Sequence, residues 1–335
     1  MPKTVQEIAA TMKMLRNHHV VTERDRDFEA LLVDLLEVDE HGQLTHEPIR
    51  VTAGTETHGI ALIEGSGGGK TTAILKVLQG CEPLQNNPET GAPRYLHVKV
   101  ESPATLRSLG SQVLRKLGVD TVSDRAKVYD IWAMVRHRLA VMGISVLWLD
   151  EAHDMFKSAT SLETDNMFKM LKSLMQGDHP VILVLSGTER LDWITSFDAQ
   201  VNRRFSKLRP QELQFGVDNM PLKELIEFYA RKAGLEAAID EDTVVRLIHG
   251  GRHRFGRCVR TLVAAIKCAL QDGSNELRQE HFEIAWGREE GCEIVQNVFA
   301  AADWQSIELK DENDELYERQ RAAQDPKSKK KAGVV

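Results

Sequence analysis

The sequence predicts an α/β fold, a parallel sheet flanked by helices, followed by a small helical lid domain. Three observations carry that expectation. An apolar run, Ile60-Ala61-Leu62-Ile63, leads through a glycine-rich loop into a helical pattern, Ala73-Ile74-Leu75-Lys76-Val77-Leu78. Two further apolar runs, Ile144–Leu149 and Pro180–Leu185, are separated by a helical pattern, as expected of central strands buried on both faces. After about residue 217 only helical patterns remain: Leu222–Ala233, Glu241–His249, Arg257–Leu270 and Arg278–Gly287.

The other elements follow in order. Residues 1–50 read as helical, with Gly42 and Pro48 as late breaks, and Leu31, Leu32, Leu35 and Leu36 form a core stripe at helical spacing. Gly59–Ile63 is the first strand and 70–79 the helix after it. Pro83–Pro93 is a loop rich in Asn, Pro and Gly. Tyr95–Val100 reads as a strand, and 104–117, 124–142 and 163–176 read as helices.

Composition excludes several classes. With 42% hydrophobic and 28% charged residues the chain is of ordinary globular type. No apolar run approaches the roughly 18–20 residues of a membrane helix. Met1–Arg16 is polar and amphipathic, without the apolar segment of a signal peptide, so no membrane role and a cytoplasmic location are expected. The net charge of −7 argues against coating nucleic acid through bulk charge, but leaves room for a local basic stripe. Cys81, Cys258, Cys268 and Cys292 form no C-x-x-C pair, so neither a zinc site nor a disulfide framework is expected. His249 and His253 lack further ligands nearby and read as solvent-facing or polar-contact residues.

Glu64-Gly65-Ser66-Gly67-Gly68-Gly69-Lys70-Thr71-Thr72 is the strongest motif. Glycines let successive N–H groups turn toward one anion, and the following helix adds the positive end of its dipole. Lys70 is expected to reach the β- and γ-phosphates of ATP, and Thr71 to ligate Mg²⁺. The pattern G-x-x-x-x-G-K-[ST] wants glycine where this chain has Glu64.

About 80 residues on, Val146-Leu147-Trp148-Leu149 ends in Asp150-Glu151. Asp150 is expected to hold Mg²⁺, and Glu151 to orient the attacking water. The next strand ends in Ser186-Gly187-Thr188, where Ser186 or Thr188 is the candidate γ-phosphate sensor; a helix cap is the competing reading. In Asn202-Arg203-Arg204-Phe205 an arginine just before Phe resembles the arginine finger of oligomeric ATPases, which a neighbouring subunit supplies to the phosphoryl group; Arg204 is the first candidate, Arg203 the alternative, and two surface arginines the competing reading. Gly256-Arg257 opens a helix of the lid, from which Arg257 is expected to reach the γ-phosphate; Arg252, Arg254 and Arg260 make a basic cluster that offers DNA or a partner as the other use.

The order Lys70-Thr71, Asp150-Glu151, polar sensor, Arg-Phe and Gly-Arg resembles an AAA+ P-loop NTPase. Asp150-Glu151-Ala152-His153, Leu185–Thr188, Asn202–Phe205, Gly256-Arg257 and Asn297–Trp304 resemble, within it, the TniB/TnsC transposition ATPases related to MuB. The resemblance spans about residues 20–305. It implies ATP-dependent assembly on duplex DNA as a ring or helical filament, a nucleotide site completed between subunits, target selection, and recruitment of a transposase. A target-selection protein or a CRISPR-associated targeting complex is a further implied partner. Lys99 and Arg107, after the second strand, are the implied DNA-phosphate contacts. The expected divisions are 1–50, an N-terminal helical extension; 51–216, the nucleotide-binding domain; 217–290, the lid; and 291–335, a partner-binding segment with a charged tail. Two rivals stand beside this reading. Asp150–His153 also spells a helicase box, but a second sheet domain is missing after residue 217. A nucleotide-gated scaffold without significant hydrolysis, or another AAA+ regulator, is the other.

Overall fold

Parity along the strands organises the sheet. In a computed structural model, which describes residues 3–309 except 103 and 157–160, β-strand side chains alternate between two cores. Ile60, Leu62, Val146, Trp148, Ile182 and Val184 enter one core, shared with Phe28, Leu32 and Ile74. Ala61, Ile63, Leu147, Leu149, Leu183 and Leu185 enter the other, shared with Leu109, Val135 and Phe168. Both faces are therefore apolar, which explains the continuous runs in the sequence.

The elements, in chain order, begin with α1 (Val5–Asn17), α2 (Glu23–Val33), β1 (Leu36–Val38), β2 (Leu44–Pro48), β3 (Gly59–Ile63), α3 (Lys70–Gly80) and β4 (Tyr95–Lys99). They continue with α4 (Leu106–Lys116), α5 (Val128–Val141), β5 (Val146–Asp150), α6 (Ser161–Leu174), β6 (Ile182–Gly187), α7 (Glu189–Phe197), α8 (Ala199–Asn202) and β7 (Phe205–Leu208). The last are α9 (Asn219–Ala233), β8 (Glu236–Ala237), α10 (Glu241–Gly250), α11 (Phe255–Asp272), β9 (Glu276–Leu277) and α12 (Gln279–Glu290). The main sheet has the order β4-β5-β6-β3-β7 with every pairing parallel. Its register aligns Ile63 with Gly187, Leu149 with Leu185, and Lys99 with Asp150. The carboxyl ends of β3, β5 and β6 thus converge, the place where such sheets bind ligands.

By their contacts the residues form two units. One is Val21–Gly65 with Lys70–Pro210, and holds the sheet; the other has the chain up to Val20, the loop tip Ser66–Gly69 and the chain from Gln211. The second unit is helical, with a core of Leu222, Ile226, Tyr229, Leu247, Leu262, Ile266 and Phe282. It also contains a two-residue parallel pairing of β8 with β9, which helical periodicity does not announce.

This division corrects the expected N-terminal extension. Met12 and Leu15 of α1 belong to the helical core, whereas Phe28, Leu32 and Leu36 belong to the sheet's core. Residues 36–48 are an antiparallel hairpin, β1 with β2, rather than more helix. The leucine stripe is a core face, but it runs from α2 into β1. The C-terminal segment contributes to the helical core. Val298, Phe299 and Trp304 are buried in the helical core, and Arg246 binds the carbonyls of Val298 and Ala301 at 2.7 and 2.8 Å. Those apolar side chains pack in the core, whereas Ile294 and Val295 of the same segment are exposed. The rest of the charged tail, including the lysine cluster at 327–331, lies outside the described residues. No helix among the described residues is long and apolar enough to cross a membrane.

Candidate functional site

The phosphate loop begins where β3 ends. Glu64 N donates to Gly187 O at 3.1 Å, tying the loop's first residue to β6. Lys70, the first residue of α3, bends back so that its Nζ donates to the carbonyls of Glu64 (2.8 Å) and Gly65 (3.1 Å). Gly67 and Gly69 have φ of +79° and +110°, conformations that an L side chain resists. That geometry turns peptide groups along the loop in the way an anion cradle requires.

Asp150 closes β5 on the same face as Trp148 and Val146, because strand side chains alternate. Ser186 of β6 shares that face. Its Oγ donates to Asp150 Oδ1 at 2.6 Å and accepts from Trp148 Nε1 at 2.8 Å. Thr71 Oγ1 donates to Asp150 Oδ2 at 2.9 Å. His97 of β4 stacks on Trp148, centroids 3.7 Å apart, and its Nε2 stands 3.8 Å from Asp150 Oδ2. Burial opposes ionisation of Asp150, but the nearby His97 ring and the Ser186 and Thr71 hydroxyls outweigh it and hold the carboxyl below its usual range. Thr71 and Asp150 therefore offer a hydroxyl and a charged carboxylate side by side. Hard oxygen donors of that kind suit Mg²⁺, which is often held by one or two protein groups plus substrate phosphates. Among the described residues no cluster of three or more His, Cys, Asp or Glu forms a separate metal site.

Glu151 follows at φ +55°, a backbone state uncommon for a non-glycine residue and concentrated at functional sites. Its Oε2 is 3.4 Å from His153 Nδ1, and the same ring nitrogen lies 3.5 Å from the backbone N of Thr188. Burial keeps His153 below the usual imidazole range; Asp154 and Glu151 oppose that, and Lys70 and Arg190 reinforce it. Of the two sensor candidates, Ser186 is fully buried and committed to Asp150 and Trp148. Thr188 stands beside the His153–Glu151 pair, and its side chain makes no capping bond to α7. The two therefore stand beside different groups: Ser186 on Asp150, and Thr188 beside His153 and Glu151.

Glu64, the departure from the glycine pattern, has a partner that the sequence did not reveal. Arg24 Nη1 lies 3.2 and 3.0 Å from its two oxygens, with both residues buried. Glu64 continues the parity of Leu62 toward the core that holds α2, and α2 starts just before Arg24 with a Thr22–Asp25 capping box. The Thr22-x-x-Asp25 spacing marks the start of α2 in the sequence, but not the pairing of Arg24 with Glu64. Replacing Arg24 by Met should strand a buried carboxylate and cost about 3–5 kcal/mol, while R24M/E64L should recover most of it. Denaturant midpoints test this, and an undiminished midpoint for R24M would remove the pair from the loop's support.

Arginine 204 is not available to a neighbour. It is 3% exposed, its Nη1 donates to Gln200 O at 2.6 Å, and its Nη2 pairs with Glu56. Arg203 has a side chain 62% exposed, with Nη2 3.6 Å from Glu56 Oε1. Of the two candidates Arg204 is therefore held inside the fold by a buried carboxylate, and Arg203 is the exposed one. Arg107 is half-buried and bonded within the chain. Its Nη1 and Nη2 donate to the carbonyls of Ala126, Ser123 and Asp124 at 2.5–2.9 Å, anchoring the segment before α5. Lys99 is exposed at the end of the edge strand β4.

Within the helical unit, Gly256 N donates to Gly68 O (3.1 Å) and Arg257 Nε to Ser66 O (3.1 Å). A Cβ on Gly256 would stand 2.3 Å from Gly67 O, so only glycine permits this approach. The other arginines of the basic cluster are paired: Arg252 with Glu290, Arg254 with Glu212 and Arg260 with Glu289. His249 and His253 contact the carbonyls of Ile307 and Leu213 at 3.0 and 2.6 Å, as polar-contact residues do.

Comparison with known proteins accords with this geometry. A family model described as the bacterial TniB protein matches residues 46–214, half of the chain. Among solved structures, the Aeropyrum pernix ORC1 protein in complex with DNA aligns at a TM-score of 0.58 and 18% identity, covering 83% of this chain and 67% of that one. The Aeropyrum pernix ORC2 protein (ADPNP-ADP complexes) aligns at 0.53 and 16%, covering 84% and 74%. Drosophila ORC bound to DNA aligns at 0.51 and 12%, covering 88% and 70%. These likenesses are to AAA+ P-loop folds. No curated protein matches the chain.

Proposed function

The chain belongs to the TniB family of bacterial proteins, and from that premise we propose that it is an ATP-dependent regulator of DNA transposition. It assembles on duplex DNA, selects the target site, and recruits or activates a transposase. The observation that carries this reading is the Thr71–Asp150–Ser186 arrangement beside Lys70 and Glu151 at the carboxyl ends of parallel strands, in a chain of this family.

The loop glycines and Lys70 bind the phosphates of ATP, with Gly65, Ser66, Gly67, Gly68, Gly69 and Thr72 completing the cradle. Thr71 and Asp150 would hold Mg²⁺, which neutralises charge on the β- and γ-phosphates. Glu151 orients and deprotonates the attacking water, with the His153 ring beside its carboxylate. Thr188 stands near that water-orienting pair as sensor. Arg257, which donates to the Ser66 carbonyl, reports the state of the γ-phosphate. Arg203 is supplied to a neighbouring copy's site, so that ATP joins protomers and its loss loosens them. Lys99 contacts DNA phosphates, giving affinity without sequence choice.

Imaging of the full chain with duplex DNA and ATP, ADP or a slowly hydrolysed analogue tests the proposal. Ordered oligomers should form with ATP and with the analogue and should be lost with ADP. Absence of ordered oligomers with ATP and DNA would overturn it.

A further inference from the structure

A strained turn stands next to the exposed arginine. Thr52, Ala53 and Gly54 have φ of +53°, +57° and +82°, three consecutive residues in the left-handed region, two of them not glycine. Such backbone persists only where its surroundings over-determine it. Here Val51 N donates to Glu56 O (2.8 Å), Thr57 N to Met175 O (2.9 Å) and Gly177 N to Thr55 O (3.2 Å), and Thr55 Oγ1 binds Thr52 O (2.7 Å).

Beside this turn lies one carboxylate, that of Glu56, which bonds the Thr52 hydroxyl. Glu56 is 4% exposed. Its Oε2 takes Arg204 and Gln176 Nε2, the latter at 3.0 Å. Its Oε1 takes the Thr52 hydroxyl at 2.6 Å and faces Arg203 Nη2 at 3.6 Å. The Thr52 bond, with Gln176 and Arg204, pulls the acid down to about 2 despite burial, so it is charged throughout the physiological range.

We propose that Glu56 is a positioning residue for Arg203: one oxygen is anchored in the protein by Arg204 and Gln176, and the other, set by the strained turn, aims the exposed guanidinium at a second copy of this chain. Stability alone would need only the buried half of this arrangement. The arrangement is also costly, because Arg204 Nε and Thr57 Oγ1 are buried with no hydrogen-bond partner among the described residues. Arg203 cannot hold itself in place, since a long exposed side chain samples many rotamers. A charged, immobile carboxylate beside it narrows that sampling before the neighbour arrives, which is preorganisation. The proposal rests on the reading that Arg203 acts on a neighbour's phosphoryl group.

The test uses the full chain with duplex DNA and ATP. Glu56→Gln should keep KM for ATP near wild type and lower kcat by about 10- to 100-fold, the cost of a misplaced catalytic group. Mixing Glu56→Gln with Glu151→Gln protomers separates positioning from folding. The Glu151→Gln copy still lends a correctly aimed Arg203 to the intact site of its neighbour. At equal amounts, random assembly should restore about a quarter of wild-type turnover, well above either variant alone. Thr52→Ala, which removes only the hydroxyl on Oε1, should show the same split and serves if Glu56→Gln does not fold. Full turnover by the Glu56 or Thr52 variant, or a loss that mixing does not repair, would overturn the positioning role. Arg203→Ala is measured alongside: if it retains full turnover, the intersubunit reading itself fails, whereas its loss beside an active Glu56→Gln overturns the positioning alone.

Discussion

Glutamine at position 151 should leave ATP-driven assembly on DNA intact and slow phosphate release by about 10²–10⁴-fold, the range a positioned general base contributes. The substitution preserves size and leaves Lys70, Thr71 and Asp150 untouched, so ATP should still bind and join protomers. What is lost is the carboxylate that takes the water's proton. Lys70→Ala should do the opposite and abolish nucleotide-dependent assembly, because no other cation in the loop replaces its charge on the phosphates. Nucleotide affinity, electron micrographs and phosphate release of both variants check the pair of outcomes. A Glu151→Gln protein that assembles and turns over at the normal rate would move the water-orienting role elsewhere, with the His153–Thr188 pair the next place to look.

The adjacent arginines should separate cleanly. Arg204→Ala removes one half of a buried ion pair and leaves Glu56 charged in the interior, at a cost of about 3–5 kcal/mol. Arg203→Ala removes an exposed side chain and should change stability by less than about 0.5 kcal/mol. On turnover the order should reverse: Arg203→Ala should lower DNA-supported hydrolysis by about 10³-fold or more, the scale of an intersubunit arginine. Denaturant unfolding and turnover above the assembly concentration give both readings. A folded Arg203→Ala variant with wild-type turnover would show that the exposed arginine has no part in hydrolysis.

How much of this was legible depended on how local each signal is. The loop Gly65–Thr72 and the strand ending in Asp150 announce themselves because their chemistry requires particular residues at consecutive positions. The alternation of apolar runs with helical patterns located β3, β5 and β6 and the helices between them, since burial on both faces imposes composition directly. The hairpin 36–48 was missed because β1 is three residues long and continues a leucine stripe at helical spacing. The 297–304 stretch was noticed for its resemblance and assigned to a partner; aromatic residues there read equally well as contact surface or as core.

Pairings across the chain were out of reach. Arg203 and Arg204 are equivalent in sequence, and only the placement of Glu56, 148 residues before Arg204, decides which is consumed and which is presented. Glu64 stood as an unexplained departure from the loop pattern until Arg24, 40 residues earlier, was found against it. Ser186 and Thr188 were interchangeable as sensors in the sequence; in the structure Ser186 lies within β6 against Asp150, and Thr188, past the strand's end, lies beside His153. By itself, then, the sequence determined the sheet, the phosphate loop and the acidic pair, because short-range periodicity and backbone demands are written into neighbouring residues. Only the tertiary structure decided which charges are spent internally and which face outward, because a side chain's energy in a folded protein depends on partners that sequence separation does not reveal.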